Sequence, residues 1–172
     1  ILQYFSNESM LKAFIVWTMG SLGGVSIEQL KVLIPSVIIG LVITFLSIKL
    51  LNAMLVGENY AKSMGLNVRL SRFLIFFSTS LLAGTITAFC GPIGFIGIAV
   101  PHIARIVFKT ANHKILLPGS MLLGGIVLVL SDIISQIPGK ENTLPINSIT
   151  ALVGIPIVIW VIIKNEKLSR VS

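Results

Sequence analysis

Long apolar runs separated by short polar punctuation dominate the chain, at the scale of a lipid bilayer. The first clear run covers residues 32–48, bracketed by Lys31 and Lys49. A helix of that length reaches roughly 26 Å, enough for a slightly thinned hydrocarbon core with both lysines snorkelling. Pro35 is expected in its first turn, where a missing N–H costs little. The same pattern predicts further spans at about 73–90, 91–108, 115–137 and 146–163. None of the five alternates apolar and polar with period two, and all are rich in Leu, Ile or Ala, which favours helices over barrel strands. The fold class expected is therefore all-α, a polytopic transmembrane helix bundle of five spans, with residues 1–172 forming part of one membrane domain.

Two polar stretches carry elements of their own. Residues 8–31 hold Glu8, Lys12, Glu28 and Lys31 around a short apolar centre at 13–22. That centre is roughly 15 Å long as helix, half a bilayer, so it reads as an interfacial helix with Trp17 at headgroup level. Gly20-Ser21-Leu22-Gly23-Gly24 then predicts a turn, and lacks the Lys and Ser/Thr of a phosphate loop. Between residues 51 and 72, Gly57 and Gly65 bracket a short helix, Glu58-Asn59-Tyr60-Ala61-Lys62-Ser63-Met64. Glu58 and Lys62 stand as an i,i+4 pair in the favourable order, and Gly65 is placed to close the helix. The bland reading of this interval is a solvated hairpin. The sharper one is a docking element with Met54, Leu55, Tyr60, Met64 and Leu66 as its apolar contacts.

Composition agrees with the pattern. Of the 172 residues 55% are hydrophobic and 11% charged, against about 25% charged in a soluble domain. The net charge of +7 would point to nucleic acid in a soluble chain; here its distribution sets topology instead, and no nucleic-acid partner is expected. Ten of the 13 cations, including Lys49, Lys62, Arg69, Arg72, Arg105, Lys109 and Lys114, fall in loops on one side of a five-span arrangement. Lys12, Lys31 and Lys140 fall on the other. The positive-inside rule puts the 51–72 and 105–114 loops and the C-terminus in the cytoplasm, and the chain's start outside. The first residues, Ile1-Leu2-Gln3-Tyr4-Phe5, lack a charged n-region, so they are not a signal peptide. They read as the end of an earlier element, and the expectation is a fragment of a longer chain. Cys90 stands alone and reads as packing.

The densest cluster of helix breakers is Gly91-Pro92-Ile93-Gly94-Phe95-Ile96-Gly97, continued by Val100-Pro101-His102-Ile103-Ala104-Arg105. An anchoring helix needs no such breaks. Irregular backbone at membrane depth is tolerated where protein or a water-filled cavity surrounds it. Gly91, Pro92, Gly94, Phe95, Gly97 and Pro101 are therefore candidates for a translocation pathway or its support, with Pro101 as the point where a helix restarts. Most other glycines, such as Gly119, Gly124, Gly125 and Gly154, are expected to serve helix packing. His102 and Arg105 mark the cytoplasmic boundary; a lone His without a second ligand at helical spacing makes a poor metal site, and no metal or directly bound cofactor is expected. Asp132 is the acid inside a span, a functional candidate by default. Its depth favours a partner near the outer surface, such as Lys140 or a helix-end amide, over His102 or Arg105. Motifs for catalysis are absent: there is no HExxH, no GxSxG and no nucleotide loop. Any energy for work must come from elsewhere, and the chain is not expected to be an enzyme.

The breaker run resembles the most recognisable stretch of the FecCD-type permeases, membrane subunits of ABC importers for iron-siderophore complexes, haem and cobalamin. Other stretches agree in order and spacing: Trp17-Thr18-Met19-Gly20-Ser21-Leu22; Gly57-Glu58 with Ala61-Lys62-Ser63-Met64-Gly65-Leu66; His113 through Leu116-Leu117-Pro118; Asp132; and Leu144-Pro145-Ile146 before Thr150-Ala151-Leu152-Val153-Gly154-Ile155-Pro156. The resemblance covers nearly the whole chain and matches the C-terminal half of the family subunit. It implies that Gly57, Glu58, Ala61, Lys62, Met64, Gly65 and Leu66 form a coupling helix seated on a cytoplasmic ATPase, which would use the ATP. It also implies a second permease copy, an extracytoplasmic binding protein and a place in the bacterial inner membrane with the C-terminus inside. The cargo implied is an iron chelate or related large chelate. Asp132, Gln136 and Lys140 would lie on the binding-protein side. Gln136 stands where the family often carries Arg, and Thr143 where an acid commonly precedes Leu-Pro. Two rival readings are an ion- or proton-coupled transporter with Asp132 as the coupling site, and a truncated fragment without transport activity.

Overall fold

The computed structural model describes residues 8–137 and 144–169, which form eight helices and no strands. In chain order these are α1 (Glu8–Thr18), α2 (Ile27–Leu46), α3 (Ile48–Leu55), α4 (Glu58–Ser63), α5 (Val68–Cys90), α6 (Ile96–Phe108), α7 (His113–Gln136) and α8 (Ile146–Ser169). Helices α2, α5 and α7 are long and apolar enough to cross a membrane. At most 11% of the apolar window of any of them is buried within the chain. Such continuous apolar exposure calls for lipid or another protein surface around it. The other two apolar segments are shorter: α6 has 13 residues, and the apolar part of α8 is Ile146–Trp160. Of the five expected spans, three are thus full-length helices and two are shorter apolar ones.

Helix boundaries move for local reasons. Ser26 starts α2 with a capping box, its hydroxyl accepting from the Gln29 N–H while the Gln29 side chain accepts from the Ser26 N–H. The helix therefore begins at Ile27, and Pro35 sits two turns inside it instead of in the first turn. Asn67 does the same for α5: its Oδ1 accepts from the Leu70 N–H at 3.1 Å. Arg69 and Arg72, expected in a loop, are consequently helical. At the other end of α2 the chain breaks at Ser47, whose hydroxyl returns to the Ile43 carbonyl, and restarts as α3. Residues 51–55 are thus helix, not the start of a loop. Helix α8 runs unbroken through Gly154 and Pro156, and the predicted turn at 138–142, with Lys140, lies outside the described residues.

The chain divides into two compact units. One contains α2, α3, α4, nearly all of α5 and residues 112–114. In it Asn52 of α3 receives the His113 N–H at 2.8 Å, lies 2.9 Å from the His113 ring, and donates to Asn112 at 2.8 Å. Asn112 caps α7 by accepting from the Lys114 N–H. His113, expected in a solvated loop, is the first residue of α7 and part of this junction. The other unit contains α1, α6, most of α7, and α8. Its core is built where α6 packs on α8, with Ala99, Val100, Ala104, Leu116, Ile146 and Ile149 buried.

Candidate functional site

The breaker cluster is the site with the most non-local construction. Every helix end leaves backbone donors or acceptors without intrahelical partners, and here several ends satisfy one another. The Ser21 N–H donates to the Cys90 carbonyl at the end of α5, at 2.9 Å. The Asn147 N–H, in the first turn of α8, donates to the Met19 carbonyl just past α1, at 3.4 Å. The chain then turns through Gly91–Phe95 before α6 begins at Ile96.

Gly91 is required at the entrance to that turn. Its φ is +77°, and a Cβ there would lie 2.1 Å from the Trp17 carbonyl oxygen. No side chain fits so close to another backbone. At the exit, Phe95 holds φ +64° and ψ −40°, with the Ile96 N–H donating to the Gly94 carbonyl at 2.7 Å. This is the tight γ-turn that L residues rarely adopt, and the strain must be held by the surroundings. Part of the hold is α8. A Cβ on Gly154 would come within 2.5 Å of the Phe95 Cβ, so Phe95 occupies space that Gly154 leaves open. Helix α6 therefore restarts at Ile96 and runs through Pro101, not from Pro101 as expected; His102 is half-buried within it and Arg105 lies exposed in its last turn. At roughly 20 Å, α6 alone does not cover a hydrocarbon core.

Sequence reasoning missed the side chain that ties this turn together, Asn147. Its Oδ1 accepts from the Gly94 N–H at 3.0 Å. Its Nδ2 donates to the Pro92 carbonyl at 2.7 Å and to the Thr18 carbonyl at 3.3 Å. One amide thus bridges the end of α1, the turn and the start of α8. The available signal was its position, a polar amide in the first turn of an otherwise apolar segment, which only a search confined to charged residues passes over.

The glycines divide. Gly91, Gly119 and Gly154 leave room for close neighbours, Phe108 in the case of Gly119, whereas a Cβ on Gly94, Gly97 or Gly125 would meet nothing within 4 Å in this chain. A small apolar crevice lies between α6, α7 and α8, lined by Ala99, Val100, Val127, Thr150 and Gly154 among others. Its volume of ≈ 10 Å³ is about the room of one water, far too little for a chelate.

The second candidate is α4. Gly57, at φ +118°, precedes it and Gly65, at φ +80°, follows it. The Gly65 N–H donates to the Lys62 carbonyl and the Leu66 N–H to the Ala61 carbonyl, the paired bonds of a Schellman cap. Ala61 is fully buried, while Tyr60 and Met64 are 52% and 61% exposed. Lys62 and Leu55 are exposed as well; Met54 and Leu66 are half-buried. The expected Glu58–Lys62 pairing is replaced: the Glu58 carboxylate pairs with the Arg72 guanidinium on α5. Arg72 is held in reach because α5 starts a turn earlier than the sequence suggested.

Asp132 is half-buried on α7, and its Oδ2 accepts from Gln136 Nε2 at 2.8 Å. The partner is therefore an amide one turn further along, near the helix end. Among the described residues no group of three or more His, Cys, Asp or Glu side chains is placed to hold a metal ion.

The chain is similar to known transport proteins over nearly all its length. It is 36% identical to the vitamin B12 import system permease protein BtuC of Salmonella typhi, over 95% of this chain and 50% of that protein. The corresponding Citrobacter koseri protein is 35% identical, over 95% and 49%. The fold matches that of a structure described as an inward-facing conformation of a metal-chelate type ABC transporter, with a TM-score of 0.82 and 31% identity, covering 95% of this chain and 53% of that one. The chain thus spans about half the length of these relatives. The model of the FecCD transport family matches residues 1–164, and the chain belongs to that family.

Proposed function

We propose that this chain forms half of the membrane-spanning subunit of an ABC importer, passing a large metal chelate across the bacterial inner membrane. The observation that carries the reading is α4. It is a short helix fixed at its end by a Schellman cap and at its start by the Glu58–Arg72 pair, with apolar Tyr60 and Met64 turned outward. A rigid, exposed, partly apolar helix between two long apolar ones is suited to transmit force from a separate ATPase. Gly57, Glu58, Ala61, Lys62, Met64, Gly65 and Leu66 are its coupling residues in this reading. ATP would be hydrolysed on that partner.

The charge asymmetry puts α4, the α6–α7 connection and the C-terminus in the cytoplasm. The Gly91–Phe95 turn then lies toward the outer face, where a binding protein would deliver cargo, and Asp132 and Gln136 lie on that same side. A second permease copy would cover much of the apolar surface left open on α2, α5 and α7. For the cargo, the vitamin B12 relatives favour a cobalamin, and the metal-chelate relative is compatible with either a cobalamin or an iron chelate such as a siderophore or haem.

Reconstitution of the full-length subunit with its ATPase and binding protein tests this. Gly65→Trp, which forces a bulky side chain into a left-handed position at the proposed ATPase contact, is expected to abolish ATP-dependent uptake of cyanocobalamin or ferric siderophore while leaving membrane insertion intact. Uptake at the unsubstituted level would refute the coupling role. Uptake that persists without ATP and follows the proton gradient would instead favour coupling through Asp132.

A further inference from the structure

We infer that Asn147 is the positioning residue of the Gly91–Phe95 turn, the amide that makes the end of α1, the turn and the start of α8 behave as one body. The argument is stereochemical. The side chain meets one donor, the Gly94 N–H, and two acceptors, the Pro92 and Thr18 carbonyls. A carboxamide supplies one acceptor and two donors at its tip, so a single orientation matches all three. The opposite orientation would set N–H against N–H and oxygen against oxygen. The groups it holds are not otherwise interchangeable: Thr18 ends α1, Pro92 has no N–H of its own to offer, and Gly94 is the first residue of the strained γ-turn. Gly20, at φ +75°, makes the turn that brings the chain after α1 alongside the Asn147 amide.

Two consequences separate this role from ordinary packing. No residue of similar size but different hydrogen-bond polarity can substitute. Moreover, an aspartate at this position should act as a proton-operated version of the clasp. Ionised, it accepts from Gly94 but faces the Pro92 and Thr18 carbonyls with negative charge. Protonated, it regains one donor.

The clasp stands independently of the transport assignment; its consequence for uptake rests on that assignment. The test uses full-length permease with its partner subunits in lipid nanodiscs, with Cys90→Ser and spin labels at Met10→Cys on α1 and Leu152→Cys on α8, both exposed positions. With Asn147 present, the label distance distribution is expected to be narrow at pH 8 and at pH 5. Asn147→Ala should broaden it at both. Asn147→Asp should broaden it at pH 8 and narrow it again at pH 5, and its uptake, relative to the unsubstituted protein at each pH, should be about tenfold lower at pH 8 than at pH 5. The acid-pH reading of Asn147→Asp also shows that the variant folds, whatever becomes of the alanine variant. Asn147→Asp distances matching the unsubstituted protein at pH 8, or Asn147→Ala distances as narrow as those of the unsubstituted protein, would overturn the clasp. Distances that follow pH while uptake does not would overturn its role in transport. Distances that follow pH in a protein whose uptake ignores ATP would leave the clasp standing and remove the importer assignment instead.

Discussion

The α4 segment and the Gly91–Phe95 turn are both bracketed by residues with positive φ, yet they are held in different ways. Helix α4 is closed by bonds between residues three and five apart, and its long-range tie is one exposed ion pair. The turn has few internal bonds and depends on partners far along the chain, at Trp17, Thr18, Asn147 and Gly154. A locally closed element can present a surface and be displaced as a unit. A turn fixed by remote segments reports any movement of those segments. The first arrangement suits docking and the second suits a pathway whose shape must change with the helices around it.

The sharpest way to break the contrast is Gly91→Ala. The added methyl would fall 2.1 Å from the Trp17 carbonyl in a left-handed conformation. Conformational cost and overpacking together come to about 3 kcal/mol or more. The expected result is a large fall in the thermal stability of the detergent-solubilised full-length subunit, or loss of the folded protein. A melting temperature unchanged within a degree would mean that the turn is not clamped as described. Gly154→Ala probes the far side of the same turn. Its methyl would press on the Phe95 Cβ at 2.5 Å, costing about 1–3 kcal/mol by overpacking, and Phe95→Gly in the same chain, which removes that Cβ, should recover most of that loss. Two losses that simply add would show the residues to be uncoupled.

This difference in construction also decides what was legible beforehand. Helix α4 was readable to within a residue, because Gly57, Gly65 and the seven residues between them contain its whole specification. The five apolar segments were readable as helices for the same reason, each carrying its own hydropathy. The entry of α6 was not. Its start at Ile96 depends on Phe95 being held at φ +64° by α8, and Pro101 was the stronger local signal. Asn147 was missed because its partners lie 53 and 55 residues away in the turn and 129 residues away at α1. The Glu58 partner was misassigned for a smaller reason: Asn67 caps α5 early enough to bring Arg72 onto the same side as Glu58.

The smallest effect expected is at that ion pair, and it sharpens the comparison from the side of α4. Both members are about half exposed, and pairs of that kind contribute about 0–1 kcal/mol and weaken with salt. Arg72→Ala should therefore leave the subunit's melting temperature within a few degrees of the unsubstituted value, with even that difference shrinking in high salt. If α4 is fixed mainly by its own cap, ATP-driven uptake should fall no more than a few fold. Gly65→Ala disturbs the cap itself, at φ +80° where a side chain costs about 1 kcal/mol, and should reduce uptake more than Arg72→Ala does. The reverse order would place the control of α4 in its tie to α5. It would then resemble the turn after all, an element whose geometry is set by a neighbour and not by its own residues.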